Sequence, residues 1–266
     1  MTAAQDVVIR VQGLKTQFGS QVIHQGLDLE VRRGEILAIV GGSGTGKSVM
    51  LRTLLGLKKP EGGRIEVLGV EITADQDDET LRALRRRLGV LFQDGALFGE
   101  LSVAENVAAP LKEHTDLSDE TIEAIAALKV AMVGLPANAG PKKPSDLSGG
   151  MKKRAGLARS LALDPDILFL DEPTAGLDPI GAAAFDDLIR GLQGAMGLTV
   201  VMITHDLDTL HAICDRIAVL AEKRVTLIGP MTAMLASDHP WVREYFHGPR
   251  GRAAQPERGR EAEDRE

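Results

Sequence analysis

Apolar residues recur along the chain at two spacings, and the switches between them mark out the elements. Val7, Ile9 and Val11 alternate with Arg10 and Gln12, and Leu27, Leu29 and Val31 repeat the pattern. A period of two predicts strands with one buried face. Arg33-Gly34-Glu35 reads as a turn into Ile36–Val40, a continuous apolar run. Such a run suits a strand covered on both faces. From Lys47 to Leu57 the spacing becomes helical, and Gly62-Gly63 and Gly69 punctuate a short strand pair around Ile65–Leu68. The front of the chain is thus expected to set an antiparallel sheet beside a parallel one.

From Glu79 to Arg87 the pattern is helical and very basic. Arg82, Arg85, Arg86 and Arg87 are read as a solvated face, because Leu81, Leu84 and Leu88 form an apolar seam at helical spacing. A strand at Val90–Phe92 follows. Residues 100–160 look mostly helical, broken at Pro110, Gly134-Leu135-Pro136 and Pro141–Pro144. Strands return at Ile167–Leu170, Val200–Thr204, Ile217–Ala221 and Val225–Ile228. From Gly248 the chain is rich in Gly, Pro, Arg and Glu, with no apolar residue larger than alanine, and a disordered charged tail is expected there.

At 266 residues, 44% hydrophobic and 26% charged, the chain has the composition of one globular α/β unit with a tail. The net charge of -7 argues against a general nucleic-acid binder. The one cysteine, Cys214, permits neither an internal disulfide nor a cysteine-based zinc site, and is read as a small buried residue. The N-terminus shows no secretory pattern. Ile36–Val40 and Leu198–Ile203 fall far short of the roughly 20 apolar residues of a membrane helix. The expectation is a cytoplasmic protein, with any membrane-spanning part supplied by a partner.

Candidate chemistry begins at Gly41-Gly42-Ser43-Gly44-Thr45-Gly46-Lys47-Ser48, which fits G-x-x-x-x-G-K-[ST] between an apolar strand and a helix. The glycines let successive N–H groups turn toward phosphates, and the helix N-terminus adds its positive end. Lys47 is expected at the β/γ-phosphates of ATP and the Ser48 hydroxyl at Mg2+. Ile167–Leu170 is an apolar strand that ends in Asp171 and Glu172. Asp171 would complete the Mg2+ shell through water, and Glu172 would polarise the attacking water.

Leu147-Ser148-Gly149-Gly150-Met151 resembles the signature motif of ATP-binding cassette (ABC) ATPases. The order P-loop, Gln93, signature, Asp171-Glu172, Gly176-Leu177-Asp178, His205 is similar to that family's order to about residue 247. The resemblance implies an α/β ABC ATPase domain over 1–247: a RecA-like P-loop core, an antiparallel β subdomain and a helical subdomain over about 95–160. It implies ATP bound by Gly41 through Lys47, Ser48 and Val49, with Phe18 stacked on adenine or serving only as apolar packing. It implies Ser48, Gln93 and Asp171 around Mg2+, and Glu172, His205 and Gln93 in catalysis. Ser148, Gly149, Gly150 and Asp178 would act across a head-to-tail dimer, because a signature cannot reach its own P-loop.

Met151 departs from the commonest glutamine of the signature, and the segment after Gln93 is also distinctive. Phe92–Phe98, Val103–Val107, Pro110–Thr115, Leu147–Arg154 and His239–Phe246 are similar to the Mla (maintenance of lipid asymmetry) phospholipid-transport ATPases of Gram-negative bacteria. That likeness implies a subunit on the cytoplasmic face of the inner membrane. Its partners would be an integral permease, a small regulatory subunit and a periplasmic lipid-binding subunit. A polar-solute importer ATPase, of amino-acid type, is the alternative. A soluble ABC ATPase fits less well, since the chain has one P-loop and no sustained heptads. Trp241, Tyr245 and Phe246 cluster in a chain with only eight aromatic residues, and either pack on their own domain or dock on a partner.

Overall fold

The computed structural model describes residues 6–73, 77–93 and 95–248; Asp94 and the charged tail beyond Gly248 lie outside the described residues. In chain order the elements begin with β1 (Val7–Phe18), β2 (Gln21–Arg32), β3 (Ile36–Val40), α1 (Lys47–Leu54), β4 (Gly62–Val67), β5 (Val70–Glu71), α2 (Asp78–Arg86) and β6 (Leu88–Leu91). Next come α3 (Val103–His114), α4 (Asp119–Met132), α5 (Gly149–Ser160), β7 (Ile167–Asp171), α6 (Pro179–Met196) and β8 (Thr199–Ile203). The last are α7 (Leu207–Ile213), β9 (Arg216–Ala221), β10 (Arg224–Gly229), α8 (Met231–Leu235) and α9 (Pro240–His247).

Two sheets form. An antiparallel one runs β2-β1-β4-β5, and a six-stranded one runs β10-β9-β3-β8-β7-β6. In the larger sheet β9, β3, β8, β7 and β6 are parallel, and β10 closes one edge antiparallel to β9. Its continuous apolar strands divide their side chains by parity. Ile36, Ala38, Val40, Leu168, Leu170, Val200 and Met202 face a core shared with α3–α9. Leu37, Ile39, Ile167, Phe169, Val201 and Ile203 face a second core with β1, β2, β4 and α1. Burial on both faces explains why these strands carry no polar alternation. Each fully buried Val, Leu or Ile contributes roughly 1.5–3 kcal/mol.

Strand β3 stands where the connections diverge, with β8 on one side and β9 on the other. In open α/β sheets, sites form at the carboxyl ends of strands at such a point. Register brings the relevant ends level: Ile39 pairs with Ile203, and Asp171 pairs with Ile203 on its other side. The loops after Val40, Asp171 and Ile203 therefore leave one edge of the sheet side by side.

Three details differ from the sequence pattern. Helix α1 stops at Leu54 rather than Leu57, because Gly56 turns left-handed (φ 65°) and Arg85 donates to the carbonyls of Leu55 and Gly56. Helix α3 runs through Pro110 without breaking. A capping box at Ser102 and Glu105 and the burial of Val103, Val107 and Leu111 outweigh the lost backbone hydrogen bond. The strand read at Val90–Phe92 starts earlier, at Leu88, and leaves Phe92 outside as an exposed residue. The arginines of α2 are exposed while Leu84 is buried, as the apolar seam required. Cys214 lies against Met202 and Thr209, and burial pushes its thiol pKa up. Among the described residues no helix is long and apolar enough to cross a membrane.

Candidate functional site

The loop from Gly41 to Gly46 joins the buried strand β3 to α1 in a path that only glycine accommodates at its two ends. A Cβ on Gly41 would lie 2.4 Å from the carbonyl oxygen of Leu220. Gly46, the N-cap of α1, has φ 100°, and a Cβ there would meet Ile23 and His24 at 2.5 and 2.6 Å. The β1–β2 hairpin thus presses on the loop from behind. Ser43, Gly44 and Ser48 stay exposed on the outer side. Thr45 closes the turn by donating its hydroxyl to the Gly42 carbonyl at 2.9 Å. The Lys47 ammonium donates to the carbonyls of Gly41 (2.8 Å) and Gly42 (3.0 Å). Burial lowers the Lys47 pKa, against the opposing pull of Glu172 and Asp171.

Across the sheet edge, burial and the neighbouring Glu172 raise the Asp171 pKa, partly offset by Lys47 and Arg52. These two carboxylates and the P-loop lysine therefore share one electrostatic environment. Glu172 is held in a left-handed conformation, φ 49°, which is uncommon for a residue with a side chain. Its N–H donates to Ile203 (2.8 Å), and its carbonyl accepts from the Lys153 ammonium (3.1 Å). Its carboxylate Oε2 lies 2.7 Å from His205 Nδ1. The His205 ring is 71% exposed and its other nitrogen faces outward from that bond.

The sequence also singled out Gln93, Phe18, Ser148 and Asp178. Gln93 is exposed, and its backbone carbonyl accepts from Lys153 at 3.0 Å. Phe18 lies at the hairpin end, 52% exposed, with the Lys58 ammonium 4.9 Å above its ring. Ser148 caps α5 by accepting from the Met151 N–H, so Gly149 and Gly150 begin that helix. Asp178 caps α6 by accepting from Gly181 at 2.9 Å. The two caps adjoin, since a Cβ on Gly150 would lie 3.7 Å from Leu177. Among the described residues no hydrogen bond or ion pair is seen between Ser148, Gly149, Gly150 or Asp178 and the P-loop. Within one chain these residues form two groups, one around Lys47 and Glu172 and one at the caps of α5 and α6 around Ser148 and Asp178.

Two contacts were not anticipated. Lys153 ties the Gln93 and Glu172 carbonyls to α5; a faint signal existed, since it shares a helical face with the buried Gly156 and Leu157. Tyr245 donates its hydroxyl to the His205 carbonyl at 2.8 Å, stacks on Trp241 and packs edge-on to Phe246. Phe246 and Val242 are buried in the main core, so this aromatic cluster packs on its own domain.

Comparison with known proteins agrees with this geometry. The family model described as ABC transporter matches residues 24–175. A probable ribonucleotide transport ATP-binding protein, mkl, of Mycobacterium leprae is 41% identical over 244 residues, covering 92% of this chain and 70% of that protein. The intermembrane phospholipid transport system ATP-binding protein MlaF of Haemophilus influenzae is 39% identical over 241 residues, covering 91% and 90%. MlaF of Escherichia coli K12 is 40% identical over 230 residues, covering 86% and 85%. Among solved structures, the dimeric ATP-binding cassette MJ0796 with ADP and Pi, in a post-hydrolysis state, superposes with a TM-score of 0.75 at 30% identity, over 84% of this chain and 98% of that one. The cbiO1 subunit of a Clostridium perfringens ABC transporter complex superposes with a TM-score of 0.79 at 31% identity, over 94% and 99%. With the P-loop, the paired carboxylates and the histidine on one sheet edge, the chain has the ABC ATPase fold and belongs to the ABC transporter family, as the ATP-binding and ATP-hydrolysing subunit of a membrane transporter.

Proposed function

We propose that this subunit powers phospholipid movement between the inner and outer membranes of a Gram-negative cell, from the cytoplasmic face of the inner membrane. The observation that carries the cargo is the end-to-end match to MlaF, over 85–90% of the MlaF chains, together with the likeness of the segment after Gln93. The mkl relatives match at similar identity but extend well beyond this chain, which spans 67–70% of their length. The ribonucleotide transport that their name gives keeps polar-solute transport as the second reading.

Hydrolysis transfers the γ-phosphoryl group of ATP to water, so the protein's task is positioning and charge stabilisation. In this reading the N–H groups of Gly42 through Val49 hold the phosphates, and Lys47 exchanges its carbonyl partners for phosphate oxygens. Glu172 orients the attacking water, and His205 holds that carboxylate through Nδ1 while its Nε2 meets the γ-phosphate. Phe18 carries the adenine. The oxygens of Ser48, Gln93 and Asp171 suit Mg2+, a hard cation that takes one or two carboxylates plus substrate phosphates rather than an all-protein cage. Among the described residues no cluster of three acidic or histidine side chains forms such a cage. When bound, Mg2+ would supply neutralisation of the phosphate charge, which also suits the half-buried Asp171–Glu172 pair. Ser148, Gly149, Gly150 and Asp178 belong to the second cluster, and a head-to-tail pair of chains would bring that cluster to the partner's phosphates.

The test is genetic and biochemical. Deleting the gene is expected to raise outer-membrane permeability to detergents, and the tagged chain is expected to co-purify with a multi-span permease. A deletion strain with a normal envelope that fails to take up a ribonucleotide or an amino acid would establish the second reading instead.

A further inference from the structure

The α5 helix begins at the Ser148 cap, yet its inner face grips the backbone of the Gln93 segment. Lys153 donates to the Gln93 carbonyl, and Arg159 donates to the carbonyls of Ala96 (2.7 Å) and Gly95 (3.3 Å). Between them, Gly156 lets this strand exit approach closely, since a Cβ there would lie 2.9 Å from the Gly95 carbonyl oxygen. Lys153 alone of these reaches further, to the Glu172 carbonyl at 3.1 Å. It is 7% exposed. A buried ammonium has donors and no acceptor, so it requires carbonyl or anionic partners, and charged donors make the stronger hydrogen bonds. An apolar side chain of similar volume would fill the space at lower desolvation cost. Glu172 in turn occupies a backbone region that persists only where its surroundings hold it. Its N–H is fixed by Ile203 and its carbonyl by Lys153.

We propose that Lys153 is a positioning residue for hydrolysis: its ammonium locks the Gln93 and Glu172 backbones to the helix that starts at Ser148, and so sets the carboxylate of Glu172. The inference rests on the reading of Glu172 as the water-orienting carboxylate. Through Lys153, a shift of the Gln93 segment or of α5 reaches the hydrolytic group without passing through nucleotide contacts.

The experiment compares Lys153→Met, which keeps the stem and removes every donor, with Lys153→Arg, which keeps charged donors. The full chain is purified with the membrane subunits that it retains. The readouts are kcat and KM for ATP, the Kd for ATP, and the thermal midpoint. Lys153→Met is expected to lower kcat about ten- to hundredfold, the cost of a small misplacement at a reacting centre. KM and Kd should stay within about twofold, the signature of an interaction that acts only on the chemical step. Lys153→Arg should recover most of the rate. Should Lys153→Met fail to fold, Lys153→Leu, which also lacks a donor, takes its place, with the same outcomes. A wild-type rate in the donor-free variant, a joint loss of kcat and ATP affinity, or no recovery with arginine would each overturn the proposal. Glu172→Gln separates the two claims. Normal turnover by Glu172→Gln overturns the underlying reading and the positioning role with it. An inactive Glu172→Gln beside a fully active Lys153→Met overturns the positioning role alone.

Discussion

Asp186, on α6, is 4% exposed; one carboxylate oxygen accepts from the Thr209 hydroxyl at 2.8 Å and the other has no partner among the described residues. Burial raises its pKa from 3.8 to about 6, against the hydrogen bond from Thr209 and with help from Asp206, Asp187 and Asp208. The folded chain therefore holds this proton where the unfolded chain has lost it. Stability from this group is complete below pH 3.8 and declines as pH rises through about 6, by on the order of 3 kcal/mol. Asp186→Asn does not titrate, so it is expected to be more stable than wild type at pH 8 by about 2–3 kcal/mol, with the gain gone at pH 4. Urea unfolding at both values checks this; an equal difference at pH 4 and pH 8 would count against it. Residues of this kind differ in how far the sequence discloses them. Lys47 and Ser48 were legible because a fixed spacing forces them onto one loop. Asp186 was not, because its pKa depends on α7 covering α6.

At the scale of elements, α9 is the informative case. It buries Val242 and Phe246 in the main core, and α8 adds Met234. Its exposed side carries the Tyr245 hydroxyl to the His205 carbonyl, and Trp241 Nε1 lies 3.8 Å from where a Gly42 Cβ would be. A helix that the pattern leaves free to pack at home or on a partner thus lies against the P-loop and His205 of its own chain. Truncation after Pro230 is expected to destabilise the monomer itself, and Phe246→Ala alone to cost about 3–5 kcal/mol. Denaturant midpoints of the monomer would show it. An unchanged midpoint with lost dimerisation would place the helix on the partner instead. Strand periods and the buried run at Ile36–Val40 were readable because side-chain alternation and burial act locally. The continuity of α3 through Pro110 was not, because its compensation comes from the core that Val107 and Leu111 enter.

The whole molecule presents the P-loop cluster and the Ser148–Asp178 cluster as separate surfaces, with Ile180, 83% exposed, next to the second. In a Glu172→Gln background, ATP is expected to drive the chain into dimers, and Ser148→Arg is expected to block the dimer while nucleotide still binds. Size-exclusion chromatography with and without ATP, beside a nucleotide-binding titration, reads both effects. Retention of ATP-dependent dimers by the Ser148→Arg variant would remove the second cluster from the partner's site.

The sequence by itself determined the P-loop, the order of motifs, the two-faced burial of the central strands and the antiparallel front, all of which follow from residue type at short range. Only the tertiary structure decided which edges coincide. The levelling of Ile39, Asp171 and Ile203 depends on the parallel register of β3, β7 and β8, whose pairing residues lie far apart in the chain. The Glu172–His205 bond, the reach of Lys153 to two loops and the brace from Tyr245 depend on that levelling in turn. No spacing in the sequence encodes such contacts, because each joins side chains and carbonyls that only the assembled sheet and its covering helices bring within a hydrogen bond of one another.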